Sequence, residues 1–174
     1  MVSATIDIYP QTLAIDVIEN VADTYVEKPT QTPVLRGVDT KGGAYVMNIM
    51  KIIIEARPPT EVSQQYTKVK WHIADRTLPS VKSMNISGVI LNNEQGLESD
   101  DPVPTPGKSV LARPDTVRIY DLTDGNGHGL LYGKSTIYMG IKGTATGVIN
   151  FAYAKIIYTM VKVSAAELLG IIQD

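Results

Sequence analysis

Apolar positions in this chain come in short runs, alternating or unbroken, and clusters of Gly, Pro, Asn and Asp separate them at close spacing. β-Branched and aromatic residues dominate the runs, a pattern that predicts strands and not helices. The segments are 4–9, 13–18, 24–26, 34–38, 44–57, 66–74, 85–91, 116–122, 130–141 and 148–163, or about eight strands once short edge pieces are set aside. The clearest alternation runs through 66–74, with Thr67, Val69, Trp71 and Ile73 on one face and Lys68, Lys70 and His72 on the other, which predicts one wet face. Two segments differ: 46–54 and 148–158 carry apolar residues on both faces. In a two-sheet sandwich the partner sheet covers only the inner face, so these strands require a loop, a helix or a second subunit outside. An uncovered apolar patch would mark a contact surface.

One helix is predicted, at the carboxyl end. Ser164-Ala165-Ala166-Glu167 has capping-box spacing ahead of Leu168, Leu169, Ile171 and Ile172. It packs either on the sandwich end or on a neighbouring chain. The stretch 92–108 holds Glu94, Glu98, Asp100, Asp101, Pro102, Pro104 and Pro106 and reads as an extended, solvated surface loop. No internal repeat or second composition regime appears, so residues 1–174 read as one soluble all-β domain.

Composition narrows the function. A chain of 174 residues buries roughly 70% of its unfolded surface, enough for a core without staples. The absence of cysteine excludes disulfides, thiolate metal sites, iron–sulfur clusters and a cysteine nucleophile. A net charge of −2, from 16 basic and 18 acidic residues, provides no footprint for a phosphate backbone, so direct nucleic-acid contact is not expected. The amino terminus lacks a secretory-signal pattern, and the longest apolar runs, such as Ile52-Ile53-Ile54, are far short of the ~20 residues a membrane helix needs.

Candidate chemistry is sparse. Gly107-Lys108-Ser109 and Gly133-Lys134-Ser135 suggest phosphate loops, but the glycine required five positions earlier is Pro102 or His128, and no helix follows. Asp124-Gly125-Asn126-Gly127-His128-Gly129 begins like a calcium loop, then has histidine at the fifth position and Ser135 at the twelfth; a tight glycine-rich hairpin turn fits better. His72 and His128 are the only histidines, too few for a histidine-rich metal centre. Glu98, Asp100 and Asp101 read as a solvated acidic loop. Asn85-Ile86-Ser87 is a formal glycosylation sequon inside a predicted strand. The sequence thus nominates no catalytic, cofactor-binding or metal-ligating residue and no cofactor, and the reading is not an enzyme.

The runs Tyr45-Val46-Met47-Asn48-Ile49-Met50-Lys51-Ile52-Ile53-Ile54, Lys68-Val69-Lys70-Trp71-His72-Ile73 and Ile149-Asn150-Phe151-Ala152-Tyr153-Ala154-Lys155-Ile156-Ile157-Tyr158-Thr159-Met160, with the Pro-rich loop and short apolar tail, carry a family resemblance. The chain resembles the small single jelly-roll major capsid proteins of tailless icosahedral viruses with an internal membrane, of the Thermus phage and haloarchaeal type. The likeness lies in length and strand order over the whole chain. It implies a single jelly-roll sandwich or barrel of about eight antiparallel strands, located in the virion. There the subunit would stand upright in the shell, assembling with itself and a companion capsid protein, one end towards the lipid layer. The acidic loading of haloarchaeal members is absent. Residues 1–28 hold only Lys28 as a base against Asp7, Asp16, Glu19, Asp23 and Glu27, which separates such a shell from its genome. That stretch, or the tail helix, is expected to be exchanged between subunits. The alternative is a ligand- or carbohydrate-binding sandwich of a phage or cell surface, using the nine tyrosines and Trp71 as platforms.

Overall fold

The computed structural model describes residues 9–34, 43–59, 66–98 and 117–173. The strands are β1 (Gln11–Ile18), β2 (Val26–Gln31), β3 (Ala44–Ala56), β4 (Tyr66–Ala74), β5 (Val89–Glu98), β6 (Val117–Asp121), β7 (Leu130–Tyr132), β8 (Thr136–Thr144) and β9 (Phe151–Val163), followed by helix α1 (Ala165–Gln173). They form two antiparallel sheets, one in the order β1-β9-β3-β6 with β7 also on β3, the other β2-β8-β4-β5. β6 pairs with residues 51–55 of β3 and β7 with residues 47–49, so the two lie end to end along one edge and nine segments fill eight strand positions. This interleaving of chain halves between facing sheets is the jelly roll that the sequence led us to expect.

The core lies between the sheets. Ile15 and Val17 of β1, Ile52 and Ile54 of β3, Val69, Trp71 and Ile73 of β4, Ile137, Met139 and Ile141 of β8, and Ile156 of β9 form one buried cluster. Each fully buried large side chain contributes about 1.5–3 kcal/mol of transfer free energy. Trp71 meets Tyr120 of the opposite sheet edge-on, ring centroids 6.1 Å apart.

The doubly apolar reading of β3 has two physical causes. A bulge shifts the register between Ile49 and Lys51, so the inward set changes from Met47 and Ile49 to Ile52 and Ile54. Beyond the bulge, Ala44 and Val46 lie on the outer face, where Leu168 and Ile171 of α1 cover them together with Val163. The helix is capped as predicted: the Ser164 amide donates to Glu167 Oε2 at 2.7 Å and the Glu167 amide to Ser164 Oγ at 3.3 Å. A side chain at Gly133 would sit 3.1 Å from Ile171 and 3.2 Å from Leu168, so its absence lets the helix settle. No helix among the described residues is long and apolar enough to cross a membrane.

Several boundaries differ from expectation. Residues 84–88 form an exposed turn, and β5 runs on from Val89 through most of the stretch read as loop up to Glu98. Ladder pairing with β4 overrides the weak strand propensity of Asn92-Asn93-Glu94, and Glu94 bridges Lys68 at 3.5 Å and also Lys70. The segment 130–141 is not one strand: the chain leaves one sheet after β7 and enters the other at β8. Strand 24–26 begins only at Val26 and continues through Pro29, tolerated because β2 is an edge strand. Residues 4–8 and 35–38 of two expected strands, and 99–108 of the expected loop, lie outside the described residues.

Candidate functional site

An open apolar surface lies on the outer face of the β1-β9-β3-β6 sheet, away from α1. Register places Asp16, Tyr153, Glu55 and Val117 in one row and Ala14, Lys155, Ile53 and Ile119 in the next, with Ile18 beside Phe151 at the end. Ile119 is 63% exposed, Val117 50%, Ile18 45% and Tyr153 42%. Phe151 packs on Tyr153 with centroids 5.1 Å apart. Charge interrupts the apolar surface: Lys28 bridges Asp16 at 2.7 Å and Lys51 approaches Asp121 at 3.9 Å. The outward apolar residues of β3 and β9 are thus sheltered at the helix end and open at the other.

At the open end the β1–β2 and β8–β9 connections are locked together by a buried polar cluster that the sequence reading missed. Glu19, Thr146 and Asn150 are buried. Glu19 Oε1 accepts the Gly143 amide at 2.6 Å, and Oε2 accepts the Asn150 amide at 2.9 Å and its Nδ2 at 2.6 Å. Asp23, at φ +60°, accepts the Thr146 amide at 2.9 Å, the Thr146 hydroxyl at 2.7 Å and the Gly147 amide at 3.2 Å. Burial pushes its carboxyl up, but these donors and the charge of Lys142 prevail and hold it below the ordinary 3.8. The only signal was an acidic residue in each half of a strand-to-strand connection. A depressed folded pKa means the proton binds the unfolded chain more readily, so the contribution of Asp23 is present above pH 3.8 and fades as pH falls through the folded value. Asp23→Asn is therefore expected to lower the urea midpoint at about pH 6, with the gap to wild type closing as pH falls below 3.8. A gap constant with pH would refute the assignment.

The histidines lie apart, His72 on β4 and His128 in the connection between β6 and β7. His72 is not on a wet face as expected: segment 75–88 covers the end of β4, and the ring is fully buried between Glu27, Tyr25 and Lys82, while Lys68 and Lys70 keep partial exposure. His128 Nδ1 lies 2.8 Å from Asp124 Oδ2, whose other oxygen accepts the amides of Asn126 and His128. These bonds, led by the imidazole, hold the Asp124 carboxyl down at about 2. The Asp124–Gly129 loop is not a hairpin, because β6 and β7 pair with β3 and not with each other. Asn48 anchors it, accepting the Gly129 amide at 2.7 Å opposite the β3 bulge. Among the described residues no group of three His, Asp or Glu gathers for a metal.

The remaining motifs resolve locally. Gly133-Lys134-Ser135 joins β7 to β8, and Lys134 forms an ion pair with Asp75. That pair lines a pocket of about 270 Å³ with Leu131, Tyr132, Ile90 and Ile171. Gly107-Lys108-Ser109, Asp100 and Asp101 lie outside the described residues, as does the side chain of Glu98. The Asn85-Ile86-Ser87 sequon sits in the exposed turn and not in a strand. Trp71, 1% exposed, is withdrawn from any surface platform.

No family model matches this chain, and no curated protein is similar to it. Among solved structures, VP1 of New Jersey polyomavirus is similar at a TM-score of 0.50 and 8% identity, over 88% of this chain and 100% of that one. VP1 of human polyomavirus 12, in complex with 3'-sialyllactosamine, matches at 0.45 with 10% identity, over 88% and 100% of the two chains. The unassembled pentamer of Merkel cell polyomavirus VP1 matches at 0.40 with 9% identity, over 88% and 96%. At such identity the first of these likenesses is one of architecture, and it agrees with the strand order read from the ladders: this chain is a jelly-roll sandwich.

Proposed function

We propose that this chain is a structural virion protein, a capsid subunit acting as one jelly-roll domain over residues 1–174 and assembling with copies of itself. The observation that carries the reading is the open apolar half of the β1-β9-β3-β6 face, with Ile119, Val117, Ile18 and Tyr153 exposed on a rigid sheet whose other half is already covered by α1. Isolated apolar residues on a surface are ordinary, whereas several gathered on one sheet face, here around Asp16, Glu55 and Lys155, point to a contact. The architecture shared with a polyomavirus VP1, itself a capsid protein, supports the same role. From the sequence resemblance we add the finer reading: a companion capsid protein in the shell, an internal membrane beneath it and no direct contact with the genome. We also propose, from the sequence, that the amino-terminal stretch 1–28 or the tail helix is exchanged between subunits, an exchanged β1 or α1 taking the docking site it has in the single chain.

Sedimentation velocity of the full chain tests this. Wild type is expected to form a discrete oligomer. Ile119→Lys places a charge at the most exposed of these four apolar residues, on the edge strand β6, and is expected to weaken association roughly tenfold or more with an unchanged melting temperature. A strictly monomeric wild type at high concentration, or an oligomer indifferent to Ile119→Lys and Tyr153→Lys together, would sink the reading. An oligomer unchanged on removal of residues 1–28 would dispose of the amino-terminal exchange alone.

A further inference from the structure

Segment 75–88 is fixed at both ends and tethered in the middle. At its base the Asp75 amide donates to the Gly88 carbonyl at 2.8 Å, Lys134 pairs with Asp75, and the close approach of Asp75 and Arg76 leaves no room for a side chain at Gly88, where φ is +90°. Such a compact surface segment with its ends held close is an Ω-loop. Its middle is held by two side chains of the sheet. The Leu78 amide donates to Glu27 Oε1 at 3.0 Å, and the Lys82 amide to His72 Nδ1 at 3.4 Å. Glu27 Oε1 also accepts the Tyr25 hydroxyl at 2.9 Å and lies 3.4 Å from His72 Nε2, without the alignment of a hydrogen bond. Opposite the ring, Gly140 leaves bare backbone, and any side chain there would come within 2.8 Å of the imidazole.

This geometry fixes the protonation state. To accept from Lys82, Nδ1 must carry no proton, so the ring is neutral with its hydrogen on Nε2, facing Glu27. Imidazolium has a proton on both nitrogens, and the new one at Nδ1 would point at the Lys82 N–H, donor against donor. We propose that segment 75–88 is an acid-released strap: protonation of His72 breaks its contact with the Lys82 amide and frees the middle of the segment from the outer face of the β2-β8-β4-β5 sheet.

The groups around the ring set the direction. Burial drives its pKa below the ordinary 6.5, and Glu27 opposes this without prevailing. From β2 and the residues before it come Glu27 and Tyr25, and from the strap Lys82. On β8, Tyr138 and Lys142 stand on either side of Gly140; on β5, Asn92 is opposite and Glu94 one step along; on β4 itself Lys70 is next, paired with Glu94. With the folded value depressed, the strap holds fully above pH 6.5 and loosens as pH falls through the lower value.

Imidazole NMR of the full chain, read with hydrogen exchange of segment 75–88 corrected for the intrinsic pH dependence of exchange, tests this. Linkage makes the two readouts quantitative: each unit by which His72 titrates below 6.5 corresponds to about a tenfold loss of protection at Leu78 and Lys82 once the ring is charged. His72→Gln keeps an acceptor for the Lys82 amide without titrating and is expected to hold the strap at all these pH values. Protection unchanged while His72 titrates, a ring that stays neutral as protection is lost, or the same acid response in His72→Gln would each overturn the proposal. Wild type alone decides if the variant does not fold.

Discussion

Glu19→Ala is expected to cost roughly 3–5 kcal/mol of folding stability, far more than the loss of one side chain from a strand connection ordinarily does. The reason is what it leaves behind. Glu19 draws three N–H donors, from the Gly143 amide, the Asn150 amide and Asn150 Nδ2, onto two buried oxygens. Asn150 Nδ2 retains the Thr146 hydroxyl and the Val148 carbonyl, both at 3.0 Å, but the two amides are left buried with nothing to bond. Each such orphan costs about 1–3 kcal/mol. Glu19→Gln keeps the volume but turns an NH₂ towards one of these donors, so it is expected to lie between alanine and wild type. Urea unfolding at neutral pH measures both. A glutamine variant equal to wild type, or an alanine variant within about 1 kcal/mol of it, would show that the cluster does not lock the two connections.

The parts of this fold legible in the sequence are those where local pattern and tertiary context agree. β4 was read to the residue because Thr67, Val69, Trp71 and Ile73 alternate cleanly with Lys68 and Lys70. α1 was read because its capping box is a local device that needs no partner. β5 was misread because Asn92, Asn93 and Glu94 have poor strand propensity, and only the ladder with β4 makes them a strand. β3 looked apolar on both faces because a bulge, invisible in a one-dimensional pattern, changes which residues point inward.

The candidate surface was half legible. Excess apolar residues on β3 and β9 correctly pointed to an outward apolar face, but their division between α1 and solvent depends on where the helix docks, which Gly133 on a distant turn helps to decide. Val117 and Ile119 of β6 join the patch only through pairing with β3. His72 was placed on a wet face because alternation gives the side of the sheet and not what crosses it, and segment 75–88 crosses it there. The Glu19–Asp23–Thr146–Asn150 cluster unites residues more than a hundred positions apart, so no local pattern could announce it.

The core's largest side chain offers a prediction in two parts. Trp71→Ala is expected to destabilise the chain by about 3–5 kcal/mol, the usual cost of emptying a large aromatic site that cannot collapse. Trp71 is 1% exposed, and its ring holds Tyr120 of the opposite sheet edge-on at 81°. Its indole nitrogen, however, is buried with no hydrogen-bond partner among the described residues. An unsatisfied donor costs about 1–3 kcal/mol, so Trp71→Phe removes a penalty while it gives up part of the buried area. The two terms oppose each other, and phenylalanine is expected within about 1 kcal/mol of wild type despite the smaller ring. Because Trp71 is the chain's single tryptophan, unfolding should be followed by far-ultraviolet circular dichroism and not by fluorescence. A phenylalanine variant as unstable as the alanine one would mean that the indole N–H contributes to the fold after all, and that the contact across the sandwich depends on it.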